Sequence, residues 1–244
     1  MTTLLTEDTG KMFEMAICLA YGIPFDGKYK YGMELPTALQ PRLAKLPTLF
    51  PKCTHSAKRG ARYDFTCIDD TTKHLSAKTI KKGGAKVAPQ VIGQAQPQKF
   101  CDELGIPFTT VADLKQYIQA NINAILPHLI THTFDCPNLY YHQEEDKIWF
   151  IELVKEIDWA KMTFEWTKTG TDWNNSSTLK IKIPQPEAES GSGSSSSTKR
   201  TTPRGFIALV EFQFHTASRT NMAVRWCYDN LLNIFRDHFT ITTL

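Results

Sequence analysis

Two short segments in the first third of the chain are predicted to form a β-hairpin. RYDFTCID (62–69) and HLSAKTI (74–80) are rich in β-branched and aromatic residues, and the polar turn Asp70-Thr71-Thr72 joins them. This pattern is typical of two antiparallel strands with a tight connection. The hairpin constrains the chain more than any other feature, because its register decides which polar side chains meet.

Residues two apart in a strand point to the same face, so Ser76 and Lys78 are expected to lie side by side. A three-residue turn centred on Thr71 would pair Asp64 directly with Lys78 on that face. The sequence therefore predicts that a carboxylate and an amine converge on one side of the hairpin.

Helical and strand-like segments alternate along the rest of the chain. Helices are predicted at 9–21, 37–46, 98–105 and 111–130, with Pro127 ending or kinking the last of them. Strands are predicted at 177–183, 205–215 and 221–228, followed by a short C-terminal helix. Periodicity does not separate strand from helix at 147–154 and 161–168. The mixture predicts an α/β fold with a mixed central β-sheet flanked by helices.

The length of 244 residues suits a single large domain. ESGSGSSSSTKR (189–200) has low complexity, which predicts a flexible loop. Because it lies between two strand-like segments, we expect this loop to be part of the domain.

Positive charge is concentrated in one segment of the chain. The net charge is only +3, but residues 52–99 hold ten lysines and arginines against three aspartates, so this segment carries +7 and the remainder −4. This asymmetry predicts a local polyanion-binding face rather than a generally basic protein. A solvated basic surface is the alternative.

The cysteines and the apolar runs indicate where the protein resides. None of the six cysteines forms a C-x-x-C pair, and no second Cys/His pair accompanies Cys53 and His55, so we expect core thiols in a reducing compartment rather than a zinc site. No apolar run approaches the roughly 18 residues of a membrane span, and the N-terminus lacks a signal pattern. We therefore predict a cytoplasmic protein without membrane contact.

A carboxylate beside a lysine on a hairpin suits phosphodiester hydrolysis. The carboxylate can hold Mg²⁺, and the lysine can position or help to deprotonate the attacking water. Asp64, eleven intervening residues and Ser76-Ala77-Lys78 resemble the PD-(D/E)XK motif of nucleases, as found in type II restriction endonucleases. The resemblance implies a restriction-endonuclease-like fold, Mg²⁺ as cofactor, Asp64 as metal ligand and Lys78 as the group that activates water.

The chain departs from that motif at two positions. Tyr63 stands where the family often has proline, and Ser76 stands where it usually has a second acid. The resemblance implies that another carboxylate completes the metal shell, with Glu14 from the first helix as the leading candidate and Glu103 as the second. It also implies that the carbonyl of Ala77 is a metal ligand.

Three further segments resemble parts of the same enzymes and supply candidate DNA contacts. They are KKGGAKVAPQVIGQ (81–94), TDWNNSSTLKIKI (171–183) and EFQFHTASRTNMAVRW (211–226). Lysines and hydroxyl groups suit phosphates, whereas Gln suits adenine and Arg suits guanine in the major groove. The candidates are Lys81, Lys82, Lys86, Gln90, Gln94, Ser176, Gln213, His215, Arg219, Asn221 and Arg225.

Each of these assignments has a structural alternative. Gln90 and Gln94 share a face only if their segment is helical, and they then form either a contact surface or a merely polar helix face. Arg219 and Arg225 either read bases, bind phosphate or pair with Glu211, and His215 is equally an ordinary strand histidine. In all readings Glu211, Gln213 and His215 line one face of a strand.

The resemblance divides the chain into a catalytic core at about 1–130 and a DNA-recognition region at about 140–244. It implies a site-specific endonuclease on double-stranded DNA, acting as a monomer or a homodimer. A structure-specific repair or junction-resolving nuclease and a non-catalytic DNA-binding module are the alternatives.

Overall fold

The computed structural model describes residues 6–57, 61–81, 86–183, 205–215 and 221–244. These ranges contain seven α-helices and eleven β-strands. The helices are α1 Thr6–Tyr21, α2 Glu34–Leu39, α3 Leu46–Leu49, α4 Pro97–Leu104, α5 Val111–Ala120, α6 Ile122–Phe134 and α7 Tyr228–Ile234. The strands are β1 Cys53–His55, β2 Phe65–Cys67, β3 His74–Ile80, β4 Lys86–Val87, β5 Asn138–His142, β6 Lys147–Leu153, β7 Phe164–Trp166, β8 Ser176–Lys182, β9 Phe206–Phe214, β10 Met222–Cys227 and β11 Phe239–Thr243.

The described strands form two sheets rather than the single central sheet that the sequence predicted. The first has the order β1-β2-β3-β5-β6-β11 and is mixed, because β3 and β5 run parallel. The second has the order β4-β10-β9-β8-β7 and is antiparallel throughout. The prediction of an α/β fold with a mixed sheet is confirmed, and the second sheet is the correction.

Two apolar clusters hold the layers together. One packs α1 against the first sheet through buried residues such as Phe13, Ile17 and Leu75. The other joins the first sheet, the helices α4–α7 and the apolar face of the second sheet, with Tyr140 and Phe212 both fully buried. Along the chain the two sheets interleave, because β4 belongs to the second sheet whereas β5, β6 and β11 belong to the first.

The long helix predicted at 111–130 is two helices. Thr110 caps α5 by accepting a hydrogen bond from the backbone N–H of Asp113, and Asn121 ends α5 by donating from its side chain to the carbonyl of Tyr117. Asn favours such caps because its side chain competes for backbone groups. Pro127 lies inside α6 and does not end it. No helix of the described ranges has the length and apolar character needed to cross a membrane.

The predicted hairpin is present, but its register differs from the expected one. Phe65 pairs with Leu75 and Thr66 with His74, so the turn is centred on Asp70 instead of Thr71. The cause is the Asp70 side chain, which accepts hydrogen bonds from the backbone N–H and the hydroxyl of Thr72 and thereby stabilises an earlier turn.

Residues 88–95 connect β4 to α4 next to this hairpin, and they form turns instead of a helix. Val91 has a φ of 63°, a conformation that β-branched residues rarely adopt. The backbone N–H of Val224 donates to the carbonyl of Gly93, which anchors the segment to the second sheet. A Cβ at Gly93 would lie 2.3 Å from the carbonyl oxygen of Pro89, so only glycine fits this turn.

We expect Gly93→Ala to lower the free energy of unfolding by about 1–3 kcal/mol, the usual cost of overpacking. Gly10→Ala is the matched control, because its Cβ would meet only the Thr79 hydroxyl at an ordinary 3.7 Å and alanine favours a helix. Urea denaturation monitored by circular dichroism measures both. Equal stability of the two variants would contradict the close approach at Gly93.

Candidate functional site

Asp64 is held at the end of the β2–β3 hairpin by two hydrogen bonds. Continuing the observed register by one residue places it opposite Ser76 rather than Lys78. Its Oδ2 accepts hydrogen bonds from the Ser76 hydroxyl at 3.0 Å and from the backbone N–H of Ala77 at 2.8 Å. The observed register differs from the expected one by two positions along β3. Because side chains alternate between the two faces of a strand, a shift of two leaves Asp64 on the same face as Ser76 and Lys78.

Ser76 therefore supports Asp64 where the motif usually has an acid. Its side chain is fully buried, and a hydroxyl there donates to the carboxylate instead of repelling it. The departure from the motif at this position has a structural explanation.

Burial dominates the electrostatics of Asp64. It raises the pKa of the carboxyl, the positive charge of Lys78 lowers it, and the negative charge of Glu14 raises it again; the net pKa lies above the ordinary value for aspartate. A buried carboxylate in this state is stabilised by an additional cation. The two predicted site residues, Lys78 and Glu14, are thus both near enough to influence Asp64.

Lys78 lies half-buried on β3. Among the described residues no carboxylate lies within ion-pair distance of its Nζ, and its charge acts on Asp64 and on the Cys136 thiol. Its ammonium is consequently not committed to a structural salt bridge within that part of the chain.

Glu14 occupies a buried position on α1, with 7% of its surface exposed. Lys11 Nζ donates to its Oε1 at 3.0 Å and to its Oε2 at 2.8 Å. His55 Nε2 lies 2.9 Å from the same Oε2. These contacts supply the partner that a carboxylate in an apolar helix requires.

The geometry fixes the tautomer of His55. Its Nδ1 accepts a hydrogen bond from the backbone N–H of Asp26 at 2.8 Å, so the proton resides on Nε2 and the ring donates to Glu14 as a neutral imidazole. The His55 side chain is completely buried, and the rings of Phe25 and Phe65 contact it at 4.3 and 5.1 Å between centroids. The sequence offered this histidine only as part of a Cys/His pair, because no local pattern links it to Glu14, which lies 41 residues away.

Glu103, the second candidate for the missing acid, lies elsewhere. It is exposed on α4, and its charge influences Arg62 and His132. The structure thus brings Glu14, and not Glu103, into the electrostatic environment of Asp64.

Tyr63, at the position where proline is common, ties the hairpin to the loop before β5. Its hydroxyl and the Arg62 Nε both donate to Asp135 Oδ2, at 2.7 and 2.8 Å. The Tyr63 ring also stacks on His74 at 3.7 Å. These contacts immobilise the residue next to Asp64.

The carboxylates of Asp64 and Glu14 are the groups that suit a divalent cation. No cluster of three or more His, Cys, Asp or Glu side chains occurs among the described residues, so a metal here needs a backbone ligand as well. Carboxylate and carbonyl oxygens are the ligands that Mg²⁺ prefers. The raised pKa of Asp64 fits such a site, because a bound cation would offset its buried charge.

The second sheet exposes one polar face. Glu211 and Gln213 alternate on β9 with the buried Phe212 and Phe214, as predicted, and the exposed His215 follows them. Thr178 and Arg225 flank Glu211 on the neighbouring strands. Ser176 pairs with Gln213, and the half-buried Asn221 accepts a backbone hydrogen bond from His215.

A network of charges organises this polar face. Glu211 contacts Lys86 Nζ at 2.8 Å and Arg225 Nη2 at 2.6 Å, and the same Nη2 donates to Gln213 Oε1 at 2.6 Å. Burial alone would raise the pKa of Glu211, but Lys86 and Arg225 hold it below its usual value. The alternative of an ion pair between Arg225 and Glu211 is confirmed. Lys86 is therefore paired with a carboxylate and not only with solvent.

The remaining predicted contacts fall in different environments. Gln90 is buried, its Nε2 donates to Cys136 Sγ, and its Oε1 has no hydrogen-bond partner within the described part of the chain. Gln94 is exposed, and because the segment is not helical the two amides do not share a helix face. Lys81 is half-buried at the end of β3. Lys82, Arg219 and the loop at 189–200 lie outside the described residues.

Comparison with known proteins shows a similarity along nearly the whole chain. The chain is 38% identical over 244 residues to the type II restriction enzyme CviAII of Paramecium bursaria Chlorella virus 1, an alignment that covers 99% of this chain. The chain spans 64% of the length of that relative. No protein-family model and no solved structure matches.

We expect Asp64→Asn to raise the free energy of unfolding of the metal-free protein at pH 7 by about 0.5–2 kcal/mol, the usual gain from relieving a strained functional group. Because the folded pKa is raised, this carboxyl favours folding below its ordinary pKa and loses that contribution as the pH rises through the folded value. The amide removes the buried charge and still accepts both hydrogen bonds. Urea denaturation in EDTA measures the effect, and a loss of stability would contradict it.

Proposed function

We propose that the protein is a type II restriction endonuclease that hydrolyses phosphodiester bonds in double-stranded DNA at a specific sequence. The similarity to CviAII along nearly the whole chain carries this proposal. The pairing of Asp64 with Ser76 and Ala77, beside Lys78 on the same strand, supports placing the catalytic site at the end of the β2–β3 hairpin. We further propose that this site is a variant of the PD-(D/E)XK type on a restriction-endonuclease-like fold.

Asp64, Glu14 and the carbonyl of Ala77 are the proposed ligands for Mg²⁺. The N–H of Ala77 points to Asp64, and the carbonyl of a residue in an extended strand points to the same side as its N–H. A bound Mg²⁺ would polarise the scissile phosphate and stabilise the charge that develops on it. Ser76 keeps Asp64 oriented, and His55 does the same for Glu14.

Lys78 is the proposed group that acts on water. Its Nζ is close enough to influence Asp64 and is not paired with a carboxylate of the described residues. It can therefore orient the attacking water and assist its deprotonation. Tyr63, fixed by Asp135, holds the hairpin in place during this step.

The polar face of the second sheet is the proposed recognition surface. Antiparallel sheets often bury one face and leave the other solvated, and this face presents Gln213 and Arg225 together with hydroxyl groups. Arg225 is fixed by Glu211 and Gln213, so its remaining donors are held in a defined orientation. Ser176, His215, Asn221 and the lysines of 81–86 are proposed to contact backbone or bases around it.

The six cysteines of the chain, all buried and unpaired, agree with action in a reducing compartment. We propose the cytoplasm as that compartment and a monomer or homodimer as the working unit. Affinity for DNA should fall with salt concentration, because phosphate contacts release counterions.

Incubating the protein with plasmid DNA and Mg²⁺ tests the proposed function. Discrete fragments are expected, and sequencing their ends yields the recognition site and the cleavage position. Random or junction-specific nicking would support a structure-specific nuclease instead. Intact plasmid with a mobility shift would support a non-catalytic binding module and contradict the proposal.

Lys78→Ala should reduce cleavage at least about 100-fold, the range usual for removing a positioned proton-transfer group, and leave DNA affinity largely intact. Lys161→Ala is the matched control, because Lys161 is exposed and pairs with the exposed Asp158. Gel-based cleavage and fluorescence anisotropy measure the two properties. Undiminished cutting by Lys78→Ala would exclude this residue from catalysis.

Arg225→Ala should weaken binding to the cognate site by about 1–3 kcal/mol and relax the preference at one base pair. Thr178→Ala, on the same face opposite Glu211, is the control for general disturbance of the sheet. Anisotropy titrations with cognate and single-substituted duplexes separate the two effects. A uniform loss across all duplexes would indicate phosphate contact instead of base readout.

A further inference from the structure

Both carboxylate oxygens of Glu14 already accept hydrogen bonds from other side chains of the protein. Lys11 Nζ contacts both of them, at 3.0 and 2.8 Å, and His55 Nε2 contacts Oε2. A Glu14 that binds a divalent cation has to release at least part of this arrangement. The question is which of the two partners leaves.

His55 is not free to leave. Its side chain has no exposed surface, its second nitrogen is bonded to the backbone of Asp26, and two phenylalanine rings enclose it. Moving the ring would leave buried polar groups without partners, which is unfavourable. His55 therefore fixes Oε2 and leaves Glu14 only small adjustments.

Lys11 is free to leave. Its side chain is 31% exposed, compared with 9% for that of Glu14, and it borders an open cavity of about 280 Å³ that Lys28 and Lys30 also line. Its flexible stem reaches Glu14 from only one turn away on the same helix. Because its side chain is partly solvated, Lys11 can move its ammonium group into water when it leaves Glu14.

Charge balance indicates what Lys11 does when no metal is bound. Asp64 and Glu14 influence each other electrostatically, and two such carboxylates repel when both are ionised. Lys78 offsets one of these charges and Lys11 the other. Without Lys11, the buried Glu14 would retain a neutral histidine as its one side-chain partner among the residues that the structure describes.

We propose that Lys11 is an internal counter-cation, which occupies Glu14 in the metal-free protein and which a divalent cation must displace, while His55 keeps Glu14 in the position to receive that cation. This inference rests on the proposed function, because it takes Glu14 as a metal ligand. It makes Lys11 an antagonist of metal binding and His55 a positioning residue.

Titration of the full chain with Mn²⁺ alone, followed by the electron paramagnetic resonance signal of free Mn²⁺, tests the inference without DNA or turnover. Lys11→Met should bind Mn²⁺ about fivefold more tightly, corresponding to an ion pair of about 1 kcal/mol. Lys11→Gln serves as a second variant, and thermal unfolding checks that both fold. Lys28→Met, which removes a charge from the same cavity without touching Glu14, should stay within about twofold of the wild type.

The effect should depend on Glu14. In the double variant Lys11→Met/Glu14→Gln, the gain in affinity over Glu14→Gln alone should disappear, since a displaced counter-cation acts only through its carboxylate. His55→Phe should weaken Mn²⁺ binding, and His55→Gln, whose amide can still donate to Glu14, should restore part of it.

The outcomes separate the inference from the proposed function. Unchanged or weaker Mn²⁺ binding by Lys11→Met overturns the inference, as does a gain that Lys28→Met reproduces. If either occurs while wild-type protein cuts plasmid into discrete fragments, the proposed function stands alone. If neither wild type nor Lys11→Met binds Mn²⁺, the inference is overturned, and the plasmid assay decides the proposed function separately.

Discussion

The hydrogen bonds that Ser76 and Ala77 donate to Asp64 join the fold to the candidate site. They lie just before β2 begins, where its ladder with β3 stops, so they continue the hairpin through a side chain beyond the backbone ladder. The face of β3 that presents Ser76 also presents Lys78. The turn at Asp70 sets the register, and the register determines whether a carboxylate, a hydroxyl and an amine meet.

Glu14 is buried and Asp64 is half-buried, and the chain compensates each of the two charges differently. Asp64 relies on two neutral hydrogen-bond donors and the nearby charge of Lys78, and its pKa is raised. Glu14 has a direct ion pair with Lys11 and a hydrogen bond from a neutral histidine. A buried carboxylate that is incompletely compensated costs stability, which is the expected condition of a site that awaits a cation. The proposed nuclease chemistry and the proposed role of Lys11 both follow from this condition.

Charges are also compensated by neighbouring side chains on the candidate recognition face. Glu211 lies between Lys86 and Arg225, so the basic residues of this surface are held by an acid of the same sheet. Much of the positive charge in residues 52–99 was predicted to act directly on a polyanion, but Arg62 pairs with Asp135 and Lys86 with Glu211. These pairs orient Arg62 and Lys86, and they leave fewer cations of this segment for binding to phosphates.

The sequence by itself determined the local elements and their faces, because strand and helix periodicity depend on neighbouring residues. The hairpin, the polar row of β9 and the shared face of Ser76 and Lys78 were predicted for this reason. Only the tertiary structure decided the partners that are distant in the chain: His55 and Glu14 are 41 residues apart, and Tyr63 and Asp135 are 72 residues apart. The burial of Gln90 against Cys136 and the division into two sheets were decided in the same way. Such contacts arise from how the layers pack, and packing is a property of the whole chain that no local pattern contains.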